Sequence, residues 1–289
     1  MASKFANRVK WKGWRPDLPS SKDWRFSLSK DAAAAIPDEY PAPRELHAPV
    51  FDQGDLGSCV GVSTSFAVHY LVKTDPDLRS ASSYSAMFAY YQARIRDGIK
   101  WKDVDAGAYI RDSMDALRDV GIPVESRWPY RQKQFARTPS PSAITAAKRW
   151  KLGAHWRCDG QGSDFLDNVL RAISSGYAVV GGFTVFSSLS TQEVDRTGVI
   201  PMPTKKDDVD GGHAVFFCGY SKSRRLLEFQ NSWGLNWGDH GYGYLPFAYL
   251  EDGNLADDFW AMERESPETQ SWKQRIAMGE LPFVLTMTA

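Results

Sequence analysis

Apolar side chains recur at every third or fourth position in several segments between residues 58 and 174. This spacing places them on one side of a helix and predicts amphipathic helices. The pattern predicts helices over 58–71, 82–96, 109–120 and 164–174, with a weaker one over 141–150. Gly121 and Pro123 are stop signals for the helix over 109–120.

After residue 174 the pattern changes to short runs rich in β-branched and aromatic residues, with glycine between them. These runs predict strands over 177–186, 213–221, 225–233 and 241–247. Helices therefore dominate the first half of the chain and strands the second, which predicts a segregated α+β fold that can divide into two lobes. The charged stretch 203–210 is typical of a solvated loop.

The first 45 residues are polar and rich in proline, yet they contain Trp11, Trp14 and Trp24. The run of alanines after Asp31 predicts one short helix. Three tryptophans with so little periodicity need a surface to pack on. Two interpretations stay open: an arm packed on the body of the protein, or a pro-segment that covers a cleft.

The 289-residue chain is 43% hydrophobic and has a formal net charge of zero. No global field would attract nucleic acid or an anionic membrane, so neither is expected as a partner. No apolar run reaches the length of a membrane-spanning helix, and the N-terminus lacks the apolar core of a signal peptide. The expected location is the cytoplasm, or outside the cell after export without a cleaved leader.

The three cysteines cannot all pair within one chain, so a free thiol is expected. Cys59 lies in FDQGDLGSCVGVS, at the junction of a glycine loop and a predicted helix. A helix N-terminus lowers the pKa of a thiol, and Ser58 is a candidate capping residue. Cys218, within an apolar strand, is interpreted as a core residue, and Cys158, at a strand edge, as a bystander.

Among the five histidines, His213 is the best candidate for a base. It follows two glycines, which leave the backbone uncovered by side chains, and an apolar strand holds it in place. His69 lies too far along the helix of Cys59 to reach the thiol. The others are less suitable: His47 lies among prolines, His155 has no supporting polar neighbours, and His240 is in a turn.

Asn231 ends a strand that can pair with the strand of His213. Its amide can accept a hydrogen bond from the imidazole and orient it, and Trp233 can cover that contact. His213 and Cys218 point to opposite faces of a strand, and no zinc-ligand motif occurs, so no metal is expected.

Three segments in this order resemble the papain-like cysteine peptidases: QGDLGSCV (53–60), GHAV (212–215) and NSWGLNWGDHGY (231–242). Weaker similarity spans about 36–260. The resemblance implies a papain-like two-lobe fold, with a helical left lobe, a β-barrel-like right lobe and the active-site cleft between them. It implies that residues 36–265 form the peptidase domain, with lobes at about 55–150 and 151–265. Residues 1–35 would be an N-terminal segment and residues 266–289 a C-terminal tail.

Carried over to this sequence, the resemblance makes Cys59 the nucleophile, His213 its acid–base partner and Asn231 the residue that orients His213. Gln53 would donate to the oxyanion together with the backbone N–H of Cys59. The candidate substrate-binding residues are Gly107, Ala108 and Gly212, where Ala108 replaces the second glycine of a family pair.

The sequence departs from the family pattern at several points. Leu56 replaces a cysteine that is normally disulfide-bonded, as in bacterial-type members without this bridge. Val60 replaces an aromatic residue, and the longer separation of Cys59 and His213 predicts an inserted loop near 192–210. The N-terminal segment is too short for the usual helical pro-domain, so any inhibition by it needs another geometry.

The sequence thus predicts a cysteine peptidase that hydrolyses peptide bonds in peptide or protein substrates, without a cofactor and as a monomer. Two alternatives stay open: a thiol acyltransferase or amidase with the same residues, and an inactive peptide-binding homologue.

Overall fold

The computed structural model describes residues 13–26, 36–75 and 82–264. Its helices are α1 (Cys59–Thr74), α2 (Ala86–Asp97), α3 (Ile110–Asp119), α4 (Pro141–Ala147), α5 (Ser163–Ser174), α6 (Gln192–Thr197) and α7 (Ala248–Glu251). Its strands are β1 (Arg25–Phe26), β2 (Glu39–Tyr40), β3 (Leu152–Cys158), β4 (Ala178–Phe186), β5 (Val209–Ser221), β6 (Leu226–Gln230), β7 (Tyr242–Pro246) and β8 (Ala256–Arg264). The predicted α+β class is confirmed.

All five helices and all four strands predicted from the pattern are present, with ends that differ by a few residues. The sequence prediction missed β3 and β8. The β8 strand reads ADDFWAMER, where two adjacent aspartates conceal a strand that is buried at most of its positions. The region 192–210, predicted as an inserted loop, contains α6 and the start of β5. The short helix predicted after Asp31, Trp11 and the tail at 266–289 lie outside the described residues.

The strands form one sheet in the order β1-β3-β8-β4-β5-β6-β7, and β2 pairs with β5. Every pairing is antiparallel except that of β1 with β3. His213 and the residues before it pair with β4, and the later part of β5, from Phe216 to Ser221, pairs with β6, so the strand of His213 is anchored in the sheet. This is the rigid support that the sequence predicted for the candidate base.

Helix α1 packs against α2 on one side and against β5 on the other. Every residue from Cys59 to Val72 is buried. Apolar and small side chains therefore surround this helix instead of forming one stripe, as expected for a helix at the centre of a fold. The helix carries Cys59 at its first turn into the interior, next to the sheet.

The described part of the chain contains no helix with both the length and the apolar character needed to cross a bilayer. Within the same residues, no three His, Cys, Asp or Glu side chains are arranged to hold a metal ion.

Arg94 of α2 is a buried cation that ties the loop after α2 to the helices. Its guanidinium donates to four main-chain oxygens, those of Trp101, Lys102, Val104 and Phe135. Arg94→Met would leave these carbonyls without partners and is expected to lower the free energy of unfolding by about 3 kcal/mol. Urea denaturation checks this. Arg196→Met, which removes an exposed ion pair, is the matched control and should change stability by less than about 1 kcal/mol; equal losses in the two variants would contradict the prediction.

Candidate active site

The glycine loop before α1 holds Gln53 close to the start of the helix. The Gln53 Nε2 donates to the carbonyl of Leu56 (2.7 Å), and its Oε1 accepts from the Ser232 hydroxyl (2.5 Å). Its backbone N–H donates to the Ser232 carbonyl (2.9 Å). Gln53 therefore has a fixed amide orientation, and the second N–H of its Nε2 makes no hydrogen bond to Leu56.

No disulfide supports this loop, because Cys59, Cys158 and Cys218 are all free thiols. Leu56, at the place of the family cysteine, is buried in the core next to α1. Ser58 precedes the helix, but its hydroxyl does not cap it and pairs instead with the Tyr130 hydroxyl (2.5 Å). The side-chain capping predicted for Ser58 is therefore wrong. Apolar packing of Leu56 stabilises the loop where the family has a disulfide.

The His213 ring has a defined partner on its Nε2 side. Nε2 lies 2.8 Å from Asn231 Oδ1, and this oxygen also accepts from the backbone N–H of Ser232 at 2.8 Å. Because the Asn231 oxygen can only accept, Nε2 must carry the proton. In the neutral ring, Nδ1 then carries the lone pair that can take up the proton of a nucleophile.

Trp233 covers this contact, as the sequence predicted. Its ring stacks on that of His213, with centroids 4.7 Å apart and planes inclined by 25°. Trp237 packs edge-on against Trp233 at 4.8 Å. The two tryptophans exclude water from the His213–Asn231 hydrogen bond.

The strand of His213 lies directly against the nucleophile candidate. The backbone N–H of Ala214, the residue after His213, donates to Cys59 Sγ at 3.4 Å. The fold thus brings together Cys59 from α1, His213 from β5 and Asn231 from the end of β6. In sequence these residues lie far apart.

The remaining histidines serve other purposes. His47 is buried and pairs with the Tyr242 hydroxyl (2.9 Å), and His240 is exposed. His155 was predicted to lack polar neighbours, which is wrong, because its Nε2 lies 3.4 Å from the Asp115 carboxylate. Asp115 belongs to α3, so the neighbour is distant in sequence.

The N-terminal arm, defined here as residues 13–26, passes through the site. Gly13 lies so close to Cys59 that a Cβ built on it would collide with Sγ. The N–H of Ala108 donates to the Gly13 carbonyl (3.0 Å), and the N–H of Trp14 donates to the Gly212 carbonyl (3.2 Å). The arm thus uses the backbone of two of the three predicted substrate-binding residues. The third, Gly107, lies beside them with φ of 72°.

The Trp14 ring fills a slot between β4 and β5. A side chain at Gly182 or Gly212 would collide with this ring, so glycine at both positions makes the slot. The indole Nε1 donates to Asp258 Oδ2 at 3.1 Å. Asp258, on β8, was missed in the sequence, since an aspartate 244 positions away gives no signal of contact with Trp14.

Burial changes the titration of both candidate catalytic groups. It raises the pKa of Cys59 to about 12, against the N–H groups of Ala214 and Val60, which lower it. It lowers the pKa of His213 to about 4, against the hydrogen bond to Asn231. The helix start lowers the pKa of Cys59 through the Val60 N–H, as expected, but burial outweighs this effect in the covered site. With the arm in place the site holds a neutral thiol and a neutral imidazole.

A family model described as papain family cysteine protease matches residues 37–250. The chain belongs to the papain family of cysteine proteases. A relative in Acanthamoeba polyphaga mimivirus, an uncharacterized peptidase C1-like protein, is 33% identical over 216 residues, which cover 73% of this chain and 68% of the relative. Chymopapain of Carica papaya is 26% identical over 235 residues. These are 78% of this chain and only 54% of chymopapain.

Among solved structures, xylellain, a cysteine protease from Xylella fastidiosa, superposes with a TM-score of 0.77 and 30% identity. The match covers 89% of this chain and 97% of that of xylellain. Digestive procathepsin L 3 of Tenebrio molitor, at 18% identity and a TM-score of 0.67, has the same fold. The predicted papain-like fold and the assignment as a papain-family cysteine peptidase, a hydrolase, are confirmed.

Proposed function

We propose that this papain-family peptidase hydrolyses peptide bonds through an acyl-enzyme on Cys59. Attack by the Cys59 sulfur on the substrate carbonyl passes the thiol proton to His213 Nδ1. The imidazolium then protonates the leaving amine, and His213 as base activates the water that releases the acyl group. The observation that carries the proposal is the Asn231–His213 hydrogen bond on a strand whose next N–H contacts Cys59 Sγ.

Labelling by an epoxide-type thiol-peptidase inhibitor tests the nucleophile. Intact-mass detection should show one adduct on Cys59 and none in Cys59→Ala. Cys158 and Cys218 are both buried and serve as internal controls. An adduct that survives in Cys59→Ala, or a wild-type chain that stays unlabelled after removal of the arm, would reject the proposed role of Cys59.

Gln53 is the proposed side-chain donor to the oxyanion. Gln53→Ala should lower kcat by about 100-fold or more, with a smaller change in KM, because the lost donor acts mainly on the transition state. Steady-state kinetics with a fluorogenic peptide, on chains activated in the same way, check this. Gln132→Ala, which removes an exposed amide whose oxygen accepts from the Asp55 N–H of the same loop, is the control. Equal kcat in wild type and Gln53→Ala would exclude the oxyanion role.

We further propose that the arm inhibits the peptidase. It covers Cys59, it occupies the backbone of Ala108 and Gly212, and Trp14 fills the adjacent slot. No substrate can reach these groups while the arm is docked. Turnover by a chain that begins at residue 36 should exceed that of the full-length chain, and equal rates would contradict inhibition.

The slot vacated by Trp14 is then the proposed site for a substrate side chain. Its walls are glycine backbone and apolar surface, and the Asp258 carboxylate lies at its end. This carboxylate also pairs with the guanidinium of Arg157 (2.8 Å). The slot therefore favours a large side chain with an N–H donor at its tip, such as tryptophan. A positional peptide library identifies the preferred residue.

A further inference from the structure

A cavity of about 410 Å³ lies beneath the arm, and none of Cys59, His213 and Asn231 lines it. One wall belongs to the arm and includes Lys22 and Trp24. The other walls belong to the body and include side chains of α2, α3, β3 and β8. Its volume falls in the range of small-molecule sites, and it exists only while the arm is docked.

Cations outnumber carboxylates on the lining of this cavity. The lining contains Lys22, Arg96, Arg111 and Arg118, against Asp23 and Asp115. Asp119, outside the lining, pairs with both Arg96 and Arg118. Lys22, an exposed residue at the rim, makes no ion pair with any described residue, so it is the lining cation whose charge no ion pair compensates.

One further hydrogen-bond donor and one acceptor of the lining have no partner among the described residues. Arg111 binds Asp23 through Nε (2.7 Å) and Nη2 (2.6 Å), so its Nη1 has no partner among the described residues. His155 is only 8% exposed, and its Nδ1 is buried without a hydrogen bond there. Its Nε2 faces the Asp115 carboxylate and carries the proton, so Nδ1 of the neutral ring is an acceptor that suits an O–H group of a ligand. A buried polar atom without a partner costs free energy, and a ligand that pairs with it recovers that loss.

We infer that this cavity binds a small phosphomonoester whose phosphoryl oxygens pair with Lys22 and Arg111. Guanidinium and ammonium groups are the usual partners of phosphate in proteins. The indoles of Trp24 and Trp260 line the remaining space and suit an aromatic or otherwise flat organic group. The ligand contacts arm and body together and therefore stabilises the docked arm by mass action.

Calorimetry with phenyl phosphate on the full-length chain tests the site. Phenyl phosphate should bind more tightly than inorganic phosphate, because its ring adds contact with the tryptophans. Lys22→Ala should weaken binding by about tenfold or more, since a charge-assisted hydrogen bond is lost, and Lys22→Glu should abolish it. Lys205→Glu, in an exposed loop, changes net charge equally and should bind as wild type does. Absence of binding at millimolar ligand, or equal affinity in Lys22→Glu and wild type, overturns the site.

The effect on turnover also depends on the proposed inhibition by the arm. Phenyl phosphate should slow peptide hydrolysis by the full-length chain and should have no such effect on Lys22→Glu. Benzoate is the control for an aromatic anion without a phosphoryl group, and sodium chloride is the control for ionic strength. If phenyl phosphate slows turnover of wild type but not of Lys22→Glu, the result supports both the phosphomonoester site and inhibition by the arm. Binding by calorimetry with unchanged turnover leaves the site in place and overturns the coupling to the arm. Equal slowing of Lys22→Glu assigns the effect to the peptidase site and overturns the coupling as well.

Discussion

Gly13→Val is expected to raise kcat/KM of the full-length chain by about 5- to 150-fold. A Cβ at this position collides with Cys59 Sγ, whereas the rest of the arm keeps its sequence. Forcing extra atoms into a packed contact costs about 1–3 kcal/mol, and each 1.4 kcal/mol is a tenfold change in the docking equilibrium. If the docked arm excludes substrate, as proposed, the loss of docking raises turnover, which is measured with a fluorogenic peptide.

Two readouts distinguish release of the arm from other effects of valine. The rate of Cys59 alkylation by a small neutral reagent should rise in parallel with turnover, since burial of the thiol is lost. Leu18→Ala, at a position of the arm that is 69% exposed, is the control and should change neither rate. A folded Gly13→Val chain with wild-type turnover and wild-type alkylation would show that the arm does not limit access to Cys59.

The sequence predicted the parts of the site that depend on local pattern. The glycine loop before a predicted helix indicated Cys59, a predicted strand that begins at His213 indicated the base, and a strand that ends at Asn231 indicated its partner. The helical periodicity of the first half and the strand-like runs of the second half indicated the α+β class. Each of these features is coded within about ten residues, where periodicity and turn residues carry the information.

The parts that failed depend on contacts between distant segments. Trp14 was one of three candidate tryptophans, and nothing near it in sequence indicates that Asp258 receives its indole N–H. The pKa of Cys59 was predicted to fall because the helix terminus is visible in the sequence. The arm that buries the thiol and reverses the shift is visible only in the fold.

Two buried carboxylates hold the arm and make its docking sensitive to pH. The N–H of Asp17 donates to Asp258 Oδ2 at 2.6 Å, and Asp17 itself accepts from Trp260 Nε1 at 3.0 Å. Burial, and then the Asp258 carboxylate, raise the pKa of Asp17 to about 8, against the guanidinium of Arg111. The other charged groups around the pair are Asp23 on the arm, Arg157 on β3 and Asp257 on β8.

Turnover of the full-length chain, relative to that of Asp17→Asn, is therefore expected to rise as pH increases from about 4 to about 8. With the arm docked, Asp17 holds its proton up to pH of about 8, whereas on a released arm it loses the proton near its ordinary pKa of 3.8. Release therefore frees a proton within this window, and docking weakens by up to about tenfold per pH unit. Below this window the contribution of Asp17 to docking is complete, and above it that contribution is lost.

Dividing the turnover of wild type by that of Asp17→Asn cancels the titration of Cys59 and His213, because both chains contain these two residues. Asp17→Asn keeps the size of the side chain and an oxygen for the Trp260 N–H but cannot ionise, so its docking should not change with pH through this position. Asp38→Asn, at an exposed position, should follow wild type at every pH. A ratio that stays flat from pH 4 to pH 8, or that falls, would mean that the buried carboxyl pair does not control release of the arm.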